Sequence, residues 1–134
     1  MITNIRVGVV AVLENDKKEI LMMLRTKEPA KGFWAIPGGK VEQYEQLEET
    51  IKRELKEELD IEVKVVELIG NIEDISEQDA SHWIMPAYRV AIVDGIVTNL
   101  EPEKHEQLMW FSLNTLPENI SYMTEKVIQL LKKK

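Results

Sequence analysis

The segment Gly38–Ile61, GGKVEQYEQLEETIKRELKEELDI, joins a double-glycine turn to an amphipathic run carrying Glu54, Glu57 and Glu58. Acids at i, i+3 and i+4 share one helix face. Left alone, like charges at that spacing repel each other. A divalent cation between them turns the cost into a binding site, and an all-oxygen donor set suits Mg²⁺ or Mn²⁺.

The alternative is a solvated charged face, the state of most Glu/Lys-rich helices. A helical wheel favours the site. At ~100° per residue, Leu47, Ile51, Leu55 and Leu59 make one apolar stripe about 120° wide. Lys52, Lys56, Glu49 and Arg53 lie on the far side. Glu58 projects inside the stripe, between Leu47 and Ile51, while Glu54 falls just past its edge and Glu57 further round on the flank. A carboxylate on a core-facing stripe is costly unless something pairs it.

The same segment resembles the Nudix box, G-x5-E-x7-R-E-U-x-E-E-x-G-U with U a bulky apolar residue: Gly39, Glu45, Arg53, Glu54, Leu55, Glu57, Glu58 and Ile61 fall in register. The one departure is Asp60, where the pattern has glycine. That position follows the helix end, where a left-handed residue is often needed. Asp tolerates this conformation better than most residues. The departure is expected to weaken a cap slightly and leave the metal acids intact. The preceding Phe33-Trp34-Ala35-Ile36-Pro37-Gly38 looks like the family's lead-in to the box. The resemblance covers nearly the whole chain in layout, and the box is its specific part.

The resemblance implies a metal-dependent hydrolase of nucleoside diphosphate linkages. A diphosphate repels nucleophiles by its own charge, so cleavage needs charge neutralisation and an activated water, and divalent metals supply both. Glu54, Glu57 and Glu58 take the ligand role, joined by a backbone carbonyl of the glycine turn. Here that is Gly38, where a missing side chain permits close approach; a turn glycine and nothing more is the alternative. Gly39 stands beside it in support. Arg53 holds the catalytic acids in the family, a job that suits a guanidinium fork, although its place near the solvent face equally fits a structural ion pair. Glu45 reads as further support near the helix start, where the dipole also favours negative charge.

In the family a further acid often comes from a loop outside the box, as base or extra metal ligand. Glu101-Pro102-Glu103-Lys104-His105-Glu106 is the candidate segment, with Glu106 preferred over Glu103, and an acidic surface loop is the alternative. His105 and His82 read as structural polar residues. Trp34, Phe33, Tyr88 and Trp110 are platforms for stacking a base, with core packing the alternative for each. Trp34 is preferred among them, and Asn119, otherwise a helix-start residue, is placed to read a base edge.

These residues need a scaffold. The 134 residues suffice for one domain with a sizeable core, expected over 1–134. No window reaches the ~18 apolar residues of a transmembrane helix, so no membrane partner is expected. The N-terminus, MITNIRVGVVAVLEND, lacks a basic lead-in and a cleavage site and reads as a strand, not a signal peptide. The absence of cysteine excludes disulfides and thiolate zinc sites and fits a cytoplasmic protein. A net charge of −7 argues against a polymeric nucleic acid partner, and the basic run Lys132–Lys134 reads as a solvated tail. A small nucleotide accompanied by divalent metal remains compatible with that charge. The sequence admits a homodimer without fixing the oligomer.

Apolar runs and turn signals predict strands at Ile5–Leu13, Glu19–Leu24, Phe33–Ile36, Ile61–Ile72, Trp83–Val93, Ile96–Thr98 and Leu108–Phe111. An acidic loop is expected from Glu73 to Ser81. Helices are expected over Gln46–Leu59 and Ser121–Lys132, the second burying Tyr122, Val127, Ile128 and Leu131. The fold class is α+β, which the resemblance sharpens to a Nudix-type α/β/α sandwich with a mixed β-sheet between helices.

Within the family, ADP-ribose hydrolases tend to carry a proline past the box, where this chain has Ile75 and Ser76. Diadenosine polyphosphate hydrolases tend to carry a tyrosine there, and none lies between Ile61 and Tyr88. The cysteines of the NADH hydrolases and isopentenyl diphosphate isomerases are absent. By elimination the chain looks most like the MutT-like nucleoside triphosphate pyrophosphatases, which release a monophosphate and pyrophosphate. An ADP-ribose or other nucleoside-diphosphate-X hydrolase is the first alternative. A non-catalytic nucleotide sensor is the second, although such domains usually lose box acids that this chain keeps.

Overall fold

Val9 to Leu13 is apolar at every position because both faces of its strand are buried. The computed structural model describes residues 4–133, so Met1–Thr3 of the N-terminal run and Lys134 of the basic tail lie outside it. Its elements are β1 (Arg6–Leu13), β2 (Ile20–Arg25), β3 (Trp34–Ala35), β4 (Gly38–Lys40), α1 (Leu47–Leu59), β5 (Glu62–Ser76), β6 (Ser81–Asp94), β7 (His105–Phe111) and α2 (Tyr122–Lys132). Strand β1 runs parallel to β6 and antiparallel to β4, giving a mixed sheet of order β4-β1-β6-β5. A second, antiparallel sheet has the order β3-β2-β7.

Strand periodicity divides the interior in two. Val9, Ala11 and Leu13, with Leu21 and Met23 of β2, pack on Ile51, Leu55 and Leu59 of α1. Val10 and Val12, with Ile20 and Met22, pack on Val127 and Ile128 of α2. The helices therefore cover opposite sides of the strands, the expected sandwich, with two sheets rather than one between them.

Helix α1 opens on a capping box between Gln46 and Glu49 and ends at Asp60 in the left-handed region, φ 58°. Asp60 thus takes the conformation a glycine would take there, its amide donates to the Lys56 carbonyl, and Lys56 Nζ lies 3.1 Å from its carboxylate. Helix α2 starts at Ser121, whose hydroxyl accepts from the Thr124 amide.

Four expectations about the scaffold are corrected. The stretch Glu73–Ser81 is mostly strand: β5 and β6 stay paired out to Ser76 and Ser81, leaving 77–80 as the turn. Gly38–Lys40 forms a short strand because it can lie close along β1. Ile96–Thr98 forms no strand. Its neighbourhood caps α1 instead, with the Thr98 amide donating to the Leu59 carbonyl and the Leu100 amide to that of Glu58. Tyr122 is 51% exposed rather than core, in the first turn of α2, whereas Leu131, partly buried, packs against the α2-side core as expected. Among the described residues no helix is long and apolar enough to cross a membrane.

Leu55 has no exposed surface. Leu55→Ala is expected to lower the unfolding free energy by about 2–5 kcal/mol through lost burial and a residual cavity. Tyr122→Ala is expected to change it by less than about 0.5 kcal/mol, as an exposed position should. Urea denaturation of both variants checks the contrast.

Candidate active site

Helix α1 delivers its acids at graded depth. Glu58 is 6% exposed, Glu54 is partly buried, and the Glu57 side chain is 53% exposed. Arg53 binds most of them together. Its Nε donates to Glu45 Oε2 at 2.8 Å, its Nη2 to Glu45 Oε1 at 3.0 Å and to the Lys40 carbonyl at 3.1 Å, and its Nη1 to Glu54 Oε1 at 2.9 Å and Glu57 Oε2 at 3.4 Å. The wheel sets Arg53 toward solvent, but its long side chain bends back over the helix start and is mostly covered. Glu45 also accepts from the Thr50 hydroxyl at 2.7 Å. The guanidinium, and then that hydroxyl, hold the Glu45 carboxyl down at about 2. The same contacts, led by Glu45, push Arg53 up.

The two glycines permit close approach, Gly38 to backbone and Gly39 to a side chain. A Cβ on Gly38 would run into the Val9 carbonyl of the neighbouring strand, and a Cβ on Gly39 would overlap the Glu54 carboxylate. Strand β4 is thereby held directly against the acidic face of α1.

Glu58 is left out of the Arg53 network, which reaches Glu42, Glu45, Glu54 and Glu57. Its Oε1 is buried without a hydrogen-bond partner. Burial, reinforced by the charges of Glu54 and Glu101, pushes its carboxyl up to about 8. Burial also raises Glu54, against the opposing pull of Arg53. Beside Glu58 lies His105, 3% exposed, with Nε2 3.7 Å from Glu58 Oε2 and Nδ1 unpartnered. Burial, then the charge of Arg25, pulls this imidazole below its ordinary value. Ligand atoms of Glu58, Glu101 and His105 all lie within 4.8 Å of one another.

The acid brought to the cluster from outside the box is therefore Glu101, with His105, rather than Glu106 or Glu103, which are exposed. The reason is a β-bulge. Leu24 pairs with Gln107 but Arg25 pairs with His105, so Glu106 is the extra residue on β7. Leu108 and Trp110 pack on the α1 side, and strict alternation would bring Glu106 there too. The extra residue shifts the alternation, and His105 arrives beside Glu58 instead.

A cleft of about 690 Å³ opens over this cluster, with Glu58, His105, Gly38 and Gly39 in its wall. Trp83, Met85, Tyr122 and Met123 furnish an apolar wall, and Arg25 and Lys40 also line it. Trp34 and Asn119 do not. The Trp34 ring is 8% exposed and meets Phe111 edge-on at 5.0 Å in the α2-side core. The Asn119 side chain donates to the Gly32 carbonyl at 2.6 Å. Tyr88 is buried on the α1 side and Trp110 packs against it. The aromatic residues that do line the cleft, Trp83 and Tyr122, carry no local signal distinguishing them from core aromatics.

The residues present fit a divalent cation. Glu58 presents a buried carboxylate oxygen with no partner, Glu54 is raised despite its guanidinium contact, and the donors are oxygens.

Without metal, Glu58 binds a proton in the folded state that the unfolded state has released between its ordinary value of 4.5 and about 8. Stability of the metal-free protein should therefore fall as pH rises through that window. His105, depressed below 6.5, acts in the opposite direction beneath that value. Between pH 6.5 and about 8 His105 no longer opposes the decline, to which Glu58 contributes a limiting slope of about 1.4 kcal/mol per pH unit and raised Glu54 adds in the same direction. Denaturation in chelator should show this decline in the wild type and a shallower one in Glu58→Gln.

The NUDIX domain family model matches residues 4–131. An ADP-ribose pyrophosphatase of Methanocaldococcus jannaschii is 33% identical over 123 residues, 92% of this chain and 70% of that protein. A CTP pyrophosphohydrolase of Escherichia coli is 32% identical over 104 residues, 78% of this chain and 73% of that protein. The crystal structure of a MutT NUDIX hydrolase from Burkholderia pseudomallei superposes with a TM-score of 0.90 at 33% identity, covering 96% of this chain and 98% of that one. With the box acids gathered on α1 and the family match spanning almost all described residues, the chain belongs to the Nudix hydrolases, enzymes that act on nucleoside-diphosphate-linked substrates and generally use divalent metals.

Proposed function

We propose that this enzyme hydrolyses a nucleoside triphosphate to the monophosphate and pyrophosphate, with water as nucleophile and Mg²⁺ or Mn²⁺ as cofactor. The observation that carries the proposal is the meeting, in one cleft, of an unpartnered buried carboxylate and a single apolar wall. Such a cleft suits a ligand with one base and one polyphosphate tail.

Glu54, Glu57, Glu58 and the Gly38 carbonyl are the groups that would hold metal. Metal bound there supplies phosphate charge neutralisation and a more acidic water. Arg53 fixes the Glu54 and Glu57 carboxylates from one side, and Glu45 with Thr50 fixes Arg53 in turn. Arg25 and Lys40 offer positive charge to phosphate oxygens, and Trp83, Met85 and Tyr122 offer apolar surface to the base. Nothing in these contacts reads a particular base edge, so several nucleotides should be accepted.

A second reading, hydrolysis of ADP-ribose or another nucleoside diphosphate conjugate, is favoured by the name of the Methanocaldococcus jannaschii relative. The CTP pyrophosphohydrolase relative favours the first.

A panel of nucleoside di- and triphosphates, ADP-ribose and dinucleotides, run in ¹⁸O water with product identification, separates them. Triphosphates should yield monophosphate and pyrophosphate. Release of orthophosphate with nucleoside diphosphate would overturn the bond assignment, and cleavage of ADP-ribose with triphosphates untouched would select the second reading.

Glu57→Gln and Glu58→Gln should each lower kcat by roughly 100-fold or more, the scale on which a lost electrostatic clamp is felt, with circular dichroism unchanged. Near-normal turnover in either variant would remove that residue from the ligand set.

A further inference from the structure

Glu58, Glu101 and His105 come from α1, the turn after Asn99 and the first residue of β7, yet their ligand atoms lie within 4.8 Å. We propose that they form a mixed nitrogen–oxygen metal position beside the all-oxygen box acids, one that takes a late first-row divalent ion such as Zn²⁺ or Co²⁺ in preference to Mg²⁺. The proposal deepens the reading above, sharing Glu58 with it, but concerns a donor that the box does not contain.

The Glu58–His105 spacing is that of two donors around one ion. His105 Nε2 and Glu58 Oε2 stand 3.7 Å apart, too far for a hydrogen bond. Two donors each about 2.1 Å from one ion can be up to about 4.2 Å apart, so 3.7 Å is within range. Glu58 and His105 are each more than nine-tenths buried, and Glu58 Oε1 and His105 Nδ1 lack hydrogen-bond partners. Both residues also line the cleft, which gives an ion a route in.

The backbone around the cluster is fixed. One side chain, Asn99, holds both outer donors: its Oδ1 accepts from the Glu101 amide at 3.1 Å, and its Nδ2 donates to the His105 carbonyl at 2.8 Å. The His105 amide closes the turn by donating to the Glu101 carbonyl at 3.0 Å. The bulge at Glu106 then sets His105 on the α1 side. Lys104 Nζ, 3.4 Å from Glu101 Oε2, is a half-exposed competitor that solvent can take back. The donor set decides the ion. Mg²⁺ binds oxygen and gives up water reluctantly, whereas imidazole with carboxylates suits Zn²⁺, Co²⁺ and their neighbours.

The chain has two histidines, so imidazole ¹⁵N spectra of the whole protein report His105 and His82 separately. One equivalent of Zn²⁺, without substrate, should shift the His105 ring nitrogens and leave those of His82 unmoved, while excess Mg²⁺ should move neither. Glu101→Gln should weaken Zn²⁺ binding by roughly 10- to 100-fold by calorimetry, and His82→Gln should leave it unchanged. An unmoved His105 signal, an equal response to Mg²⁺, or full Zn²⁺ affinity in Glu101→Gln would overturn the assignment. Hydrolysis with Mg²⁺ alone is scored separately, so loss of this position and loss of the proposed reaction are distinguishable.

Discussion

A carboxylate held in an apolar stripe, outside the ion pairs that Arg53 makes with its neighbours, sets the terms for the rest of this site. Glu58 shares its helix side with Ile51, Leu55 and Leu59, whose burial stabilises the sandwich. It cannot turn to solvent without taking the stripe with it. Its position in the last turn of α1 adds to the cost, because the helix dipole is negative there. Burial therefore leaves two stable conditions, a bound proton or a bound cation. The Leu100 and Thr98 amides satisfy the nearby helix-end carbonyls of Glu58 and Leu59, so the backbone is provided for and the side chain alone is left in deficit.

Arg53 could have cancelled that deficit, and the geometry shows why it does not. Its shortest contact is the Nε bond to Glu45, which also accepts from Nη2, while Glu54 and Glu57 share Nη1. Much of its charge is thus committed to an acid outside the helix. Glu54 stays raised above the ordinary carboxyl value even with that guanidinium 2.9 Å away. An arginine given wholly to the box acids would compete with any cation there. Shared with Glu45, it positions them and leaves them short of positive charge.

This division explains which parts were legible in the sequence. The stripe and the depth of Glu58 follow from helix period alone, and the αL end at Asp60 from the resemblance, whose pattern has glycine there, because these depend on residues within a few turns of each other. Arg53 was set toward solvent because a wheel projects Cβ directions and ignores how far a guanidinium can reach back. Glu106 is preferred over Glu103, and His105 reads as a structural polar residue, because a bulge is invisible to strict alternation and depends on pairing with β2. Trp34 reads as a stacking platform, and Trp83 only as the start of a strand, for a similar reason. Both are aromatic and near strands, and only the packing of β3 against Phe111 assigns one to the core and leaves the other at the cleft.

The cleft's two walls also differ in how closely they can discriminate. On the acidic side Gly38 leaves no room for a Cβ beside the Val9 carbonyl, and Arg53 ties Glu45 and Glu54 together by hydrogen bonds of defined geometry. The apolar lining draws on Met85 and Met123, and thioether side chains reshape at little cost. A hydrophobic wall separates ligands differing by a methylene by only about 1–3 kcal/mol, whereas large discrimination requires buried polar groups that a wrong ligand leaves unpaired. The buried side-chain polar atoms without hydrogen-bond partners among the described residues belong to Glu58 and His105, both at the acidic wall. Under the proposed reading, precision is therefore concentrated on the part of a substrate that all nucleotides share, and the base meets surface that can adapt.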